Sequence, residues 1–147
     1  METVLYIGLT ASIMMIIVSF MLSAQESSQR TQSRVNVHQA SSFAIQHIYY
    51  TMGKTLSINT EQSVFENDNG VLALNLEGGT KIYRLENSKV TYNTIPITPP
   101  NVVISKMYLE PVLNRKNEVV AAKVTFEISS INKFSQTKVF NFLAIVR

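Results

Sequence analysis

The sequence predicts an α+β fold: one long N-terminal α-helix, its first half transmembrane, packed on a C-terminal antiparallel β-sheet. Three observations predict it. Residues 3–24 carry no charge. An apolar stripe of helical period then continues to Met52. Beyond Lys54 the period changes from 3.6 residues to 2.

The uncharged run holds about 22 residues, which at about 1.5 Å rise spans roughly 33 Å, close to the ~30 Å hydrocarbon core of a bilayer. It is too long for the apolar region of a signal peptide, and no basic segment or small-residue cleavage site frames it. Gly8, Thr10, Ser12 and Ser19 lie within it and permit close helix approach. After Ala24 the composition turns polar, but no Pro or Gly appears before Gly53, so nothing forces the helix to stop at the membrane surface. Val37, Ala44, Ile48 and Met52, with Ala40 or Ser41, recur at three- and four-residue steps and are expected to cover the sheet. Phe43 and Tyr50 flank that stripe, and Tyr49 and Tyr50 are expected to divide between the seam and solvent. Gly53 is read as a left-handed helix terminator. The expected divisions are residues 1–24 for the membrane half, 25–53 for the amphipathic half and 54–147 for the sheet domain.

The second half reads as a meander. SVFE and GVLALNL flank NDNG, whose Asn-Gly is a hairpin signal. EGGT turns into KIYRLE, and ENS turns into KVTYN. TIPITPPN is a stiff connector, because its three prolines lack a ladder donor. NVVISKMYLEPV, EVVAAKVTFEIS and TKVFNFLAIVR close the chain as strands, joined by LNRKNE and SINKFSQ. In the second of them Val120, Ala122, Val124, Phe126 and Ile128 alternate with Lys123, Thr125 and Glu127. About six or seven strands in one sheet are expected.

Composition excludes several chemistries. Cysteine is absent, so neither disulfides nor thiol catalysis arises. Net charge is +3, from 13 basic and 10 acidic residues scattered along the chain, which describes a solvated surface and no nucleic-acid stripe. His38 and His47 stand nine residues apart on one helix, away from metal-ligand spacing, and read as surface or interface residues. ENDNG is oxygen-rich but lacks the length and distal Glu of a calcium loop. EGGT is too short to cradle a phosphate. Asp68 is the only aspartate, and the glutamates are dispersed, so no acid pair or nucleophile–base pair is suggested. No enzymatic activity, cofactor or metal is expected.

METVLYIGLTASIMMIIVSF resembles the mature N-terminus of type IV pilins and type II secretion pseudopilins, in which an apolar helix carries a glutamate near its start. QRTQSRVNVHQASSFAIQHIYYTMGK is similar to the polar half-helix of J-type minor subunits, with an aromatic residue as at Phe43. The order of short strands, a connector like ITPPNVVI and a long final hairpin also resembles such subunits.

The resemblance implies a non-catalytic subunit assembling through its N-terminal helix into a pilus or secretion pseudopilus. Glu2 would pair with the terminal ammonium of a neighbouring subunit. Leu5, Gly8, Leu9, Ser12, Ile16 and Phe20 would pack in lipid before assembly and against other pilin or pseudopilin helices afterwards. A prepilin peptidase and an assembly platform with an ATPase are the implied partners. The residues alone also allow a simpler role for Glu2, an acid favoured by the helix macrodipole. They equally allow a single-pass membrane protein whose β-rich domain binds a ligand or acts as a sensor without polymerising.

In the family a basic leader ending in Gly and a Phe-Thr-Leu-like stretch precede the glutamate. Here Met1 precedes Glu2 directly, and the expectation is an internal start or a truncated form. Arg30 and Arg34 follow the span, which as written places the sheet domain in the cytoplasm. A basic leader would reverse this, giving a bacterial membrane protein with an extracytoplasmic domain.

Overall fold

The computed structural model describes residues 2–132 and 136–146. α1 covers Glu2–Met52. Eight strands follow: β1 (Ser57–Ile58), β2 (Val71–Leu76), β3 (Gly79–Glu86), β4 (Lys89–Tyr92), β5 (Ile95–Pro96), β6 (Val102–Leu113), β7 (Val119–Ser130) and β8 (Lys138–Ile145). The chain divides into two compact units, Met1–Gln32 and Ser33–Arg147.

In the first unit the helix is exposed all round, and the apolar window that could cross a membrane has none of its residues buried. This single apolar helix is a candidate membrane span by length and composition.

In the second unit the remaining helical turns bury one stripe. Ser33, Asn36, Val37, Ala40, Ser41, Ala44, Ile48, Thr51 and Met52 face inward at three- and four-residue steps. The helix ends through three-residue bonds: Lys54 N–H donates to Thr51 O (3.0 Å) and Thr55 N–H to Met52 O (3.2 Å). Thr55 Oγ1 also donates to Thr51 O (2.8 Å). The left-handed conformation expected at Gly53 is not adopted, since Gly79 is the glycine with positive φ. Gly53 N–H instead still donates to Tyr49 O (3.0 Å), continuing the helical pattern.

The helix packs on antiparallel strands, but these form two sheets where the sequence suggested one. Strands β1 to β5 make a five-stranded meander and β6 to β8 a three-stranded one. The break falls at the connector 97–101, where Pro99 and Pro100 offer no N–H to a ladder. Lys89 Nζ holds that connector by donating to Pro99 O (2.6 Å) and Val102 O (2.7 Å). Part of the expected connector is itself a strand, β5 pairing with β4 through Tyr92↔Ile95 and Thr91↔Pro96.

The hairpins follow left-handed residues. Asn87 and Ser88 (φ 50° and 58°) join β3 to β4, and Asn93 and Thr94 (φ 49° and 75°) join β4 to β5, both as two-residue turns with positive φ at each position. Gly79 (φ 99°) completes the turn before β3.

NDNG does not make the tight hairpin expected, and SVFE is not a strand. The bridge Val64↔Val71 and the Ser63 hydroxyl, which accepts from Ala73 N–H (3.0 Å), link the two sides across a wide loop. Gly70 serves another need there. Its N–H donates to Met107 O (2.8 Å), and a Cβ would stand 2.8 Å from that oxygen, a distance only glycine permits.

LNRKNE turns β6 into β7, with Asn114 O and N–H both used across the turn. The expected turn SINKFSQ falls partly, and the terminal Arg147 wholly, outside the described residues.

The core joins both sheets to the helix. Leu72, Leu74, Tyr83 and Val90 come from the first, and Ile104, Met107, Leu109, Val124, Phe126 and Ile128 from the second. β7 buries Ala122, Val124, Phe126 and Ile128 on alternate positions, as period-2 patterning requires. A fully buried side chain such as Ile48 is worth about 1.5–3 kcal/mol relative to exposure.

Candidate functional site

Two surfaces carry the residues singled out in the sequence, one in each unit. In the first unit, successive residues turn by about 100° around the helix. On that geometry Gly8, Ser12, Leu5, Ile16, Leu9, Phe20 and Glu2 fall within an arc of about 120°, in that order around the axis. They form one stripe with the carboxylate at its start. Leu5, Leu9, Ile16 and Phe20 are all exposed, and a Cβ added at Gly8 would meet nothing within 4 Å. A shallow concavity on this side is lined by Ala11, Ser12, Met15, Ile16 and Ser19.

The hydroxyls of the span are satisfied within the helix. Thr10 Oγ1 donates to Tyr6 O (2.7 Å), Ser12 Oγ to Gly8 O (2.9 Å) and Ser19 Oγ to Met15 O (2.8 Å). Such back-bonding removes most of the cost of placing a hydroxyl in hydrocarbon. The stripe can therefore contact lipid or another helix without leaving those hydroxyls bare.

In the second unit Val37, Ala44, Ile48 and Met52 are buried at the helix–sheet seam. Beside Ile48 sits a polar cluster that the sequence did not reveal. Thr51 Oγ1 lies 2.9 Å from His47 O and 2.6 Å from Tyr83 Oη, and either hydroxyl can donate across the second contact. Tyr83 Oη also stands 2.8 Å from His47 Nδ1 and 3.4 Å from His47 O. Tyr92 closes the cluster, its ring centroid 5.0 Å from those of both His47 and Tyr83.

Burial holds the Tyr83 proton well above the ordinary tyrosine range, against a smaller opposing effect from its Thr51 hydrogen bond. The spacing of His47 and Thr51, four residues apart beside the apolar stripe, was the one available sign of this cluster. Their partner on β3 was not legible.

The other sequence candidates scatter. His38 Nε2 lies 3.1 Å from Lys138 Nζ, with Phe140 edge-on at 5.8 Å. Tyr49 and Tyr50 do not divide between seam and solvent: both are exposed, Tyr49 stacking towards Phe142 at 5.5 Å and Tyr50 contacting Lys54. Phe43 is exposed. Asp68 pairs with Lys106 at 2.6 Å, and this hydrogen bond raises the lysine above its usual value. Among the described residues no three His, Asp or Glu side chains gather where they could hold a metal ion. The seam cluster joins helix to sheet, and the stripe of the first unit is exposed. Comparison of the chain with protein-family models, with curated proteins and with solved structures found no match.

Proposed function

We propose that the chain is a non-catalytic structural subunit, a minor pilin or pseudopilin. It assembles through its N-terminal helix into a type IV pilus or a type II secretion pseudopilus. The observation that carries this reading is the stripe of Glu2, Leu5, Leu9, Ile16 and Phe20. It is apolar, exposed and headed by the one charged side chain of residues 2–24. A simple anchor gains little from that carboxylate, since an acid near a helix N-terminus contributes about 0.3–1 kcal/mol. In a filament the carboxylate is neutralised only when a neighbour docks in register, so its cost in hydrocarbon becomes a selector of correct packing. In this reading the subunit waits in the bacterial membrane with its β-rich domain outside the cytoplasm, and other pilin or pseudopilin helices later replace lipid around the stripe.

The test is Glu2→Gln in the cell of origin, scored by sheared filament or cross-linked subunit yield. Membrane insertion is followed separately. The expected result is normal insertion with assembly reduced at least about tenfold, on the order of 1.4 kcal/mol or more. Unchanged assembly partners and an unchanged monomeric anchor would instead assign the chain to a single-pass protein with a non-polymerising ligand-binding or sensor domain.

A further inference from the structure

The sheets end in four edges, and three are protected. β1 and β5 are two residues long, and β5 contains Pro96. The outer side of β6 is covered by loops. Ile104 N–H donates to Ser88 O (3.0 Å), Met107 N–H to Asp68 O (2.8 Å) and Glu66 N–H to Leu109 O (2.8 Å). β8 differs: it runs eight residues, has no proline, no bulge and a single charge, Lys138. Its partner on one side is β7, and among the described residues no backbone group bonds its other side.

The register says which groups are open. Val146 N–H donates to Val120 O (3.0 Å), one step beyond the pair Ala121↔Ile145. Hydrogen-bonded and non-bonded pairs alternate in an antiparallel ladder. Phe140, Phe142 and Ala144 therefore direct their N–H to β7, and Val139, Asn141, Leu143 and Ile145 direct theirs to the free edge. Beside that edge a cavity of about 460 Å³ is lined by Tyr49, Tyr50, Gly53, Leu143 and Ile145.

We propose that the free edge of β8 takes an added β-strand from a different polypeptide, apolar at alternate positions and carrying a carboxylate at the end beside Lys138. The open ladder of N–H and C=O groups calls for an extended backbone, because only a strand presents the matching repeat. Exposed Val139, Leu143 and Ile145, with the cavity, call for apolar side chains at alternate positions. Lys138 has His38 as its neighbour, and among the described residues no carboxylate pairs with it, which favours an acid on the partner.

A second copy is the poorer occupant. Two β8 edges can pair symmetrically only about an axis perpendicular to the sheet. That operation sets the Lys138 end of one strand against the Ile145 end of the other, and β8 itself carries no acidic side chain to meet the lysine.

The test uses the whole chain in detergent micelles and reads amide exchange at residues 139–145 by NMR. The probe is a short synthetic peptide alternating valine and threonine with a terminal glutamate. Alone, the chain should exchange quickly at Val139, Asn141, Leu143 and Ile145 and slowly at Phe140, Phe142 and Ala144. Saturating peptide should slow the first set at least about tenfold and leave the second unchanged.

The same peptide N-methylated at alternate residues should give no slowing, nor should Leu143→Pro, which removes an outward donor but none of the bonds to β7. Three results would overturn the proposal: no slowing with the peptide, equal slowing with its N-methylated form, or slowing that rises with protein concentration alone. The last would assign the edge to a second copy. The Glu2→Gln assembly assay reports on the other unit, so failure of either proposal is visible without the other.

Discussion

Tyr83→Phe removes one oxygen from the junction of helix and sheet, and its effect can be worked from the contacts. Tyr83 is fully buried and its hydroxyl shares hydrogen bonds with Thr51 Oγ1 at 2.6 Å and with His47 Nδ1 at 2.8 Å. Thr51 is also buried, so water cannot replace the lost partner, whereas half-buried His47 can reach solvent. One bond lost outright and one partly replaced give about 1.5–2.5 kcal/mol of destabilisation near neutral pH. For the 115 residues of Ser33–Arg147 this is a fall of roughly 6–10 °C in Tm, measured on the detergent-solubilised chain.

The pH dependence adds a second reading. The folded state holds the Tyr83 proton above the ordinary value near 10, so above that pH the unfolded chain binds fewer protons than the native one. Stability from this group is therefore complete below pH ~10 and falls as pH rises, by up to about 1.4 kcal/mol per unit. The gap between wild type and variant should close by about pH 11.5. A variant within about 0.5 kcal/mol of wild type at pH 7, or a gap constant between pH 9 and 11.5, would refute the assigned network.

Other outcomes follow from single positions. Thr94 is β-branched at φ 75° in a two-residue turn, so Thr94→Gly should raise stability by about 1 kcal/mol, read as a higher urea midpoint at unchanged slope. Gly70→Ala places a Cβ 2.8 Å from Met107 O and should cost about 1–3 kcal/mol by the same assay. Ile48→Ala opens the core between helix and sheets and should cost about 2–5 kcal/mol. Phe43→Ala, on an exposed position of the same helix, should stay within about 0.5 kcal/mol of wild type.

The helix was legible because its two signals, an uncharged run and a 3.6-residue stripe, are local. The long strands were legible for the same reason: β7 alternates over twelve residues, and no other period fits it. The turns were less so. Asn-Gly at 69–70 carries the strongest hairpin signal in the chain, yet that glycine is needed for close approach to Met107. EGGT and Asn87-Ser88 turn where expected, but Asn93-Thr94 was not read as a turn; in both asparagine pairs Ser or Thr completes a left-handed turn at some strain.

The division into two sheets depends on which strand edges meet, a non-local matter. The prolines of 97–101 marked a connector but not that β6 would leave the first sheet. The His47–Thr51–Tyr83 cluster was hidden likewise, since Tyr83 lies 36 residues from His47 and reads as one more strand aromatic.

The polar groups of the first unit differ in what they can report to a neighbour. Thr10, Ser12 and Ser19 use their hydroxyls on carbonyls of their own helix, so a facing helix meets mainly shape along the stripe. Shape alone discriminates register weakly, because sliding one apolar helix along another by one turn exchanges similar contacts. A carboxylate is different. Unpaired in hydrocarbon it costs several kcal/mol, and that cost is removed only where a cation or donor stands opposite it. Glu2 is the only charged side chain on the stripe, so any strong dependence on register must come from it. Gln at that position keeps length and shape but gives up most of that penalty. The physical signature of a register-setting Glu2 is therefore a loss of productive filament in Glu2→Gln while helices still pair, now in heterogeneous alignment. A merely capping Glu2 would leave alignment unchanged.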